Sequence, residues 1–248
     1  MSNTRIKYSL NKVNVIFSVI ISLIFLFTSA DIRAEDNDPL EPINRAIFEF
    51  NEVVDENIFK PVAEGYKYIT PDPVETGVSN FLSNIGEIST IANDVLQLKF
   101  GQAGHDTARF ALNSTLGIFG IFDVATAVGL KKNKEDFGQT LGFWGIPNGP
   151  YLVLPFLGPS SFRDGPSLIV DYQMSPVEQL HHEERQGLQA IDAVDARAKL
   201  LRATKILDAA AKDKYIFIRE SYLQRRESLV RDGENTEEFE IDVQEVDY

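Results

Sequence analysis

The chain has 248 residues, 37 acidic against 24 basic side chains for a formal net charge of −13, 44% hydrophobic content and no cysteine. An acidic balance argues against nucleic acid as a partner, because phosphate binding needs a basic face. The absence of cysteine excludes disulfides, thiolate metal sites, thiol nucleophiles and the acylated cysteine of a bacterial lipoprotein, so the fold must rest on its own core.

The first thirty residues carry an export pattern. Arg5, Lys7 and Lys12 precede an apolar stretch from Val13 to Phe27, and Thr28-Ser29-Ala30 supplies small residues for cleavage, with a second site after Ala34. The apolar stretch is short for a membrane anchor. Removal of 1–30 takes three basic residues and no acid, leaving the remainder still more acidic.

Helix signals dominate the rest of the chain. Asp38-Pro39-Leu40-Glu41 reads as an acidic cap, a first-turn proline and a carboxylate at the third helical position. Ile43, Ile47, Phe50, Val54 and Ile58 then mark the buried face of an amphipathic helix that Pro61 ends. Asp72-Pro73-Val74-Glu75 opens a second helix, with Val74, Val78, Phe81 and Ile85 on its buried side and Gly86 as its stop. Ile88, Ile91, Val95 and Leu98 predict a third, and a fourth is expected over 103–115 with Phe110 inward. Leu116 to Leu130 holds one charge and three glycines; it is either a buried loop with a short helix or an apolar element against acyl chains. From Val177 to about Arg231 the chain reads as charged helix, with apolar positions at Leu188, Ile191, Val194, Ala198 and Leu201 and an aromatic stripe at Tyr215, Ile218, Tyr222 and Leu229. Asp232 to Tyr248 contains eight acids and no base, the composition of a disordered tail. No strand-turn-strand pattern and no repeat is visible, so the expected architecture is all-α: signal peptide 1–30, one helical domain 31–231, acidic tail 232–248.

The most unusual segment is Phe137 to Phe162, 26 residues without a charge. Its length suits a bilayer-spanning helix, but five glycines and four prolines break it repeatedly. Bent backbone at membrane depth survives only when buried in protein or lining a cavity. The run is therefore either core or a surface that handles lipid. Asn80, Asn84, Asn93, Asn113, Ser114, Thr115 and Gln139 add polar groups to apolar surroundings, as helix-end and interhelix hydrogen bonds or as the lining of a wet, amphipathic cavity.

Signals for chemistry are weak. His181-His182-Glu183-Glu184 places adjacent imidazoles on different helix faces and matches no metal spacing. His105, near Asp106 and Arg109, fits a surface ion cluster. Gly158-Pro159-Ser160-Ser161-Phe162 lacks the final glycine of a nucleophile elbow. No catalytic residue, metal site or cofactor is assigned, and a lipid hydrolase using Ser160, Ser161 or His105 is the weakest reading.

Ordered blocks of residues resemble the MlaA (VacJ) family: Asp38-Pro39-Leu40-Glu41, Asn44-Arg45, Phe48, Phe50-Asn51, Lys60-Pro61-Val62, Gly77 to Phe81, Asn84, Asn113 to Gly117, Phe122-Asp123, and above all Asp136 to Gly142, Trp144-Gly145, Gly149-Pro150-Tyr151, Leu154-Pro155 and Arg163-Asp164. The stretch Tyr215 to Arg226 fits more loosely. The resemblance implies a ring-like helical domain with a central amphipathic channel, seated at the periplasmic side of the Gram-negative outer membrane. There it would remove mislocalised phospholipid from the outer leaflet without enzymatic chemistry, beside a trimeric porin, and pass it to a soluble periplasmic carrier that feeds an inner-membrane ATP-driven complex. It also implies a flexible loop over Trp144, Gly145, Gly149, Pro150 and Tyr151, and gating near Phe50 and Asn51; Phe50 reads equally well as core. A porin-associated structural role without lipid transfer is the alternative. The chain departs from the family in lacking the lipobox cysteine, so acyl anchoring is not expected.

Overall fold

The computed structural model describes residues 38–233. The export signal and all but Asp232 and Gly233 of the acidic tail lie outside them. Helix α1 (Glu41–Val54) passes through a five-residue π-turn (Asp55–Phe59) into α2 (Lys60–Ile69). Pro61 therefore does not end the helix. The wider turn lets the Lys60 N–H donate to the Asp55 carbonyl, and Pro61 falls in the first turn of α2, where its missing donor costs nothing. The start differs too: α1 begins at Glu41 with Pro42 in its first turn, while the Asp38 carboxylate accepts from the Leu40 N–H at 3.1 Å.

Helix α3 (Asp72–Leu96) runs straight through Gly86 and absorbs two predicted helices. It ends with Leu98 in the left-handed region (φ 60°), the Lys99 N–H returning to the Asp94 carbonyl at 2.9 Å and the Leu98 N–H to Val95 at 3.0 Å. This closure normally takes glycine. Helix α4 (Phe100–Thr115) packs back along α3. After it, Ile118, Phe119 and Gly120 are all left-handed, and the short α5 (Val124–Ala127) comes next, capped by Asp123. Gly120 is required here: a Cβ would lie 2.4 Å from that of Asn84.

The uncharged run contains α6 (Phe137–Phe143), capped by Asp136, and then a feature absent from the all-helical expectation. Tyr151–Leu154 (β1) and Gly158–Ser161 (β2) pair antiparallel, Tyr151 opposite Ser161 and Leu154 opposite Gly158. The tip turns on Phe156 (φ 65°) and Gly158 (φ 78°). The two strands are four residues each, too short to show a period-two pattern, which is why the sequence hides them. The remainder is helical: α7 (Asp164–Met174), a 3₁₀ turn (Pro176–Gln179), the long α8 (His182–Ala210) and α9 (Lys214–Val230), capped by Asp213.

Apolar cores are small. Phe137, Leu141 and Val170 form one, backed by Ile146 and Met174; Tyr151, Val153 and Tyr215 form the other, against Ile47, Phe48 and Tyr222. Most of the deeply buried side chains are instead polar or charged.

Candidate functional site

Helix α3 has the periodicity of an amphipathic helix, but its polar stripe is the buried one. Asn84, Glu87, Thr90, Asn93, Asp94 and Gln97 face inward, while Val74, Ile88, Val95 and Leu96 are exposed. Most of the inward groups have partners, although Asn84 Oδ1, Glu87 Oε2 and Asp94 Oδ2 are buried without a hydrogen bond. Asn84 donates to Ser114 Oγ (2.9 Å), and Glu87 accepts from Arg109 Nε (3.2 Å). Asn93 accepts from Thr140 (2.8 Å), and Gln97 donates to Glu135 (2.8 Å). Helix α4 repeats the arrangement. Its buried Arg109 also reaches Thr126 and the Leu130 carbonyl, and Asn113 donates to Asp123 at 3.1 Å. Burial pushes the carboxyls of Glu87 and Glu135 up, opposed by hydrogen bonds from Arg109 and Gln97.

The second polar centre joins α6, α7 and α9. Arg226 Nη1 donates to Asp136 Oδ2 (2.6 Å), and its Nε lies 2.8 Å from Asp164 Oδ2. Arg163 Nε and the Tyr222 hydroxyl also donate to Asp164, at 2.7 and 2.6 Å. Burial alone would raise the Asp136 carboxyl; the Arg226 hydrogen bond and charge overcome it and hold it below the ordinary range. Asp171 accepts from the Phe137 N–H at 2.8 Å, but burial pushes it up to about 7, with the Asp136 charge adding to the rise. Asp94 is driven to about 8 by burial and by its contact with Asp106.

A folded carboxyl with a raised pKa stabilises fully below its unfolded pKa of about 4 and loses that contribution as pH rises through its folded value. The thermal midpoint should therefore fall between pH 4 and 7 through Asp171, with the Asp94–Asp106 pair, whose carboxyl is also raised, falling in the same direction. In Asp171→Asn, which keeps the acceptor for Phe137, a thermal-melt series should show a shallower fall below pH 7. An unchanged slope would remove Asp171 from this role.

The large apolar side chains lie outside. On α1 and the π-turn after it, Ile43, Phe50 and Ile58 of the predicted buried stripe are exposed, and Asn44 is buried instead. The left-handed turn after α4 presents Leu116, Ile118, Phe119 and Phe122 together, Phe119 at 73% exposure. Phe156 and Leu157 do the same at the hairpin tip. The reading of 116–130 as a buried loop is thus replaced by an outward apolar turn. The uncharged run divides: Phe137, Leu141, Tyr151 and Val153 are core, while Phe143, Trp144, Phe156, Leu157 and Phe162 face out. No described helix is long and apolar enough to cross a membrane.

The predicted loop and gate residues fall into two groups. Phe50, Asn51 and Tyr151 meet at the hairpin. Asn44 donates to the Tyr151 carbonyl (3.0 Å) and accepts from Val153 N–H (2.9 Å); Asn51 donates to the Leu154 carbonyl (2.9 Å) and accepts from Phe156 N–H (2.8 Å). Two amides spaced seven residues apart on α1 thus bind the free edge of β1 as a neighbouring strand would. Phe50, 46% exposed, meets the edge of the Phe156 ring at 5.3 Å, so it is not core. Tyr151 is buried against Tyr215 and Tyr222. Pro150 is held by the Phe162 N–H on its carbonyl at 3.1 Å, and Gly149 (φ 68°) makes the turn before it. Trp144 and Gly145 sit apart, at the end of α3: Trp144 Nε1 donates to the Leu96 carbonyl (3.2 Å), and Gly145 (φ 89°) closes α6.

Asn51→Ala should free the hairpin tip at a cost of about 1–2 kcal/mol, read as faster amide exchange at Phe156 with α8 unaffected. Protection at wild-type level would mean that the tip holds itself.

A cavity of about 210 Å³ opens between α3, the end of α7 and α8. Leu82, Ile85, Val177 and Leu188 form its apolar walls; Glu178 and Asp192 supply charge. On one rim Gln189 donates to the Tyr172 hydroxyl at 3.2 Å, and Arg185 to Glu178 at 3.3 Å. Gly86 lines this cavity, and a Cβ there would meet nothing within 4 Å. This glycine, read from sequence as a helix stop, instead keeps a wall open. Asn44, the Arg226 cluster and this cavity are the parts that sequence reasoning missed. An asparagine pair at heptad spacing inside a helix was the available signal for the first.

Elsewhere the histidines contact residues of their own helices or immediate neighbours: His105 meets Asp106 (2.9 Å), His181 meets Glu184 and His182 meets Arg185. Ser161 donates to Asn148 at 2.8 Å. Among the described residues no cluster of His, Cys, Asp and Glu could hold a metal.

An all-helical protein, hairpin apart, that pairs its amides and charges inside and turns its large apolar side chains outward has the build of a chain that meets hydrocarbon. Residues 36–229 match the MlaA lipoprotein family. A protein of Rickettsia prowazekii is 36% identical over 244 residues, spanning 90% of this chain and 96% of that one. The intermembrane phospholipid transport system lipoprotein MlaA of Escherichia coli K12 is 33% identical over 222 residues, 85% and 88% of the two chains. A solved structure, from work on the structural basis for maintenance of bacterial outer membrane lipid asymmetry, superposes with a TM-score of 0.70 at 33% identity, covering 78% of this chain and 99% of that one. The chain belongs to the MlaA family.

Proposed function

We propose that this protein moves phospholipid out of the outer leaflet of an outer membrane, without enzymatic chemistry, and delivers it to a soluble periplasmic carrier. The observation that carries the reading is the inverted distribution of side chains, with hydrocarbon surface outside and a hydrogen-bonded polar interior. A phospholipid needs an amphipathic path, and the cavity beside Gly86 combines apolar walls with the carboxylates of Glu178 and Asp192. The hairpin tip, with the Phe50 and Phe156 rings edge to face, is the proposed gate, and Trp144–Gly145, at the end of α3, a separate flexible element.

The E. coli relative is named a lipoprotein, yet these 248 residues hold no cysteine. The turn of Leu116, Ile118, Phe119 and Phe122 offers a replacement. Each such side chain is worth about 1.5–3 kcal/mol when withdrawn from water. Four of them reach or exceed what a single acyl chain supplies, an association constant of about 10⁴ M⁻¹. A trimeric porin would add lateral support.

The test is mass spectrometry of lipid extracted from the protein purified out of outer membranes in mild detergent, with porin followed in the same fractions. Stoichiometric phospholipid is expected. Porin without lipid would overturn transport in favour of a scaffold.

A further inference from the structure

A second concave surface lies between α2 and α8 and shares no lining residue with the cavity beside Gly86. Its volume is about 480 Å³. Lys60 and Glu64 approach from successive turns of α2; Arg197, Leu201 and Lys205 approach from one face of α8, with Arg202 at the border. The charge state is uneven. Arg197 is already forked onto Asp55, at 2.5 and 2.7 Å. The acid at the far end, Asp208, is taken by Lys214 at 2.5 Å, and Lys214 also meets Glu52 at 3.1 Å. Lys60, Arg202 and Lys205 make no ion pair among the described residues. Lys60 from α2 and Arg202 and Lys205 from α8 therefore line one groove without an ion pair, with Glu64 likewise unpaired and Lys60 acting on Asp208 only through its charge, on a chain of net charge −13.

Like charges gathered from two helices repel, and in an acidic protein carboxylates are plentiful; the cluster costs free energy unless an anion completes it. The mixture of two ammonium groups with a guanidinium suits a phosphate, the groove has room for the ester group attached to it, and Leu201 adds an apolar floor for the carbon next to it. We propose that this groove binds the phosphate of a phosphoester, with Lys60, Arg202 and Lys205 as its ligands. The inference does not rest on the lipid passage: the source is either a phospholipid headgroup docked beside the passage or a free phosphate.

The experiment is calorimetric titration of the full chain in non-ionic detergent, on a Gly86→Phe background so that the other cavity is filled. The probes are dihexanoyl-phosphatidylglycerol, glycerophosphoglycerol and inorganic phosphate. Binding is expected, weakened by added salt and by about tenfold or more in the Lys60→Gln, Arg202→Gln, Lys205→Gln triple variant. These positions carry no structural ion pair, so without an anion the thermal midpoint of the triple variant should hold or rise as the repulsion is removed. Binding of the short-chain lipid and glycerophosphoglycerol in preference to inorganic phosphate assigns a lipid headgroup; inorganic phosphate binding as tightly as both assigns free phosphate. Absence of binding, or equal binding by the triple variant, overturns the site. So does a groove that binds only a peptide of residues 234–248, which would make it a seat for the chain's own acidic end. Transport lost in Gly86→Phe with groove binding intact would separate this site from the passage.

Discussion

Arg226→Leu is expected to lose about 3–5 kcal/mol of stability, the cost of breaking a buried ion pair from one side. Leucine is smaller and neutral, and leaves Asp136 and Asp164 facing each other without the cation that both contact. There is no slack to relax into. A Cβ on Gly138 would lie 2.5 Å from Asp164 Oδ1 and 2.6 Å from Arg226 Nη2, so α6 already touches the cluster with bare backbone. Adding Asp136→Asn should recover part of the loss by removing one uncompensated charge while keeping an oxygen for the Gln139 N–H, which Asp136 accepts at 2.9 Å. Chemical denaturation measures both variants. A loss below about 1 kcal/mol for Arg226→Leu would mean that the site is wet enough to solvate its carboxylates.

Gly86→Phe should abolish lipid transport while leaving the protein as stable as before. Glycine inside a helix costs about 1 kcal/mol relative to alanine, so most side chains at 86 favour α3. The ring has room to grow into the cavity, since nothing lies within 4 Å of a Cβ there. Gly86→Ala should stabilise slightly and transport normally. The readout is outer-leaflet phospholipid, labelled on intact cells of a null strain carrying each variant. If Gly86→Phe folds, is exported and still restores asymmetry, lipid does not pass through this cavity, and the hairpin corner at Phe50 becomes the better candidate for the path.

The sequence alone determined that the chain is helical, where most helices lie, and that Phe137 to Phe162 is apolar and repeatedly bent. Those are local properties, set by caps, proline and residue period. It also carried the family in its ordered blocks. What it could not determine was which face of each helix is inside. The stripe of Ile43, Phe50 and Ile58 is a genuine helical stripe, but period says only that two faces differ. Which face is buried depends on the solvent outside, and that assignment required Asn44, Glu87, Asn93 and Arg109 to be seen with their partners. Pro61 and Gly86 failed as stop signals for related reasons. A π-turn satisfied the backbone around the first, and the neighbouring helices α4 and α8 held α3 straight through the second. The hairpin was invisible because its edge is completed by Asn44 and Asn51, roughly a hundred residues earlier in the chain. The π-turn at Pro61 is a local departure from the helix period; the other points only the tertiary structure could decide, because each rests on a hydrogen bond, a helix contact or a void shared by segments that are distant in sequence.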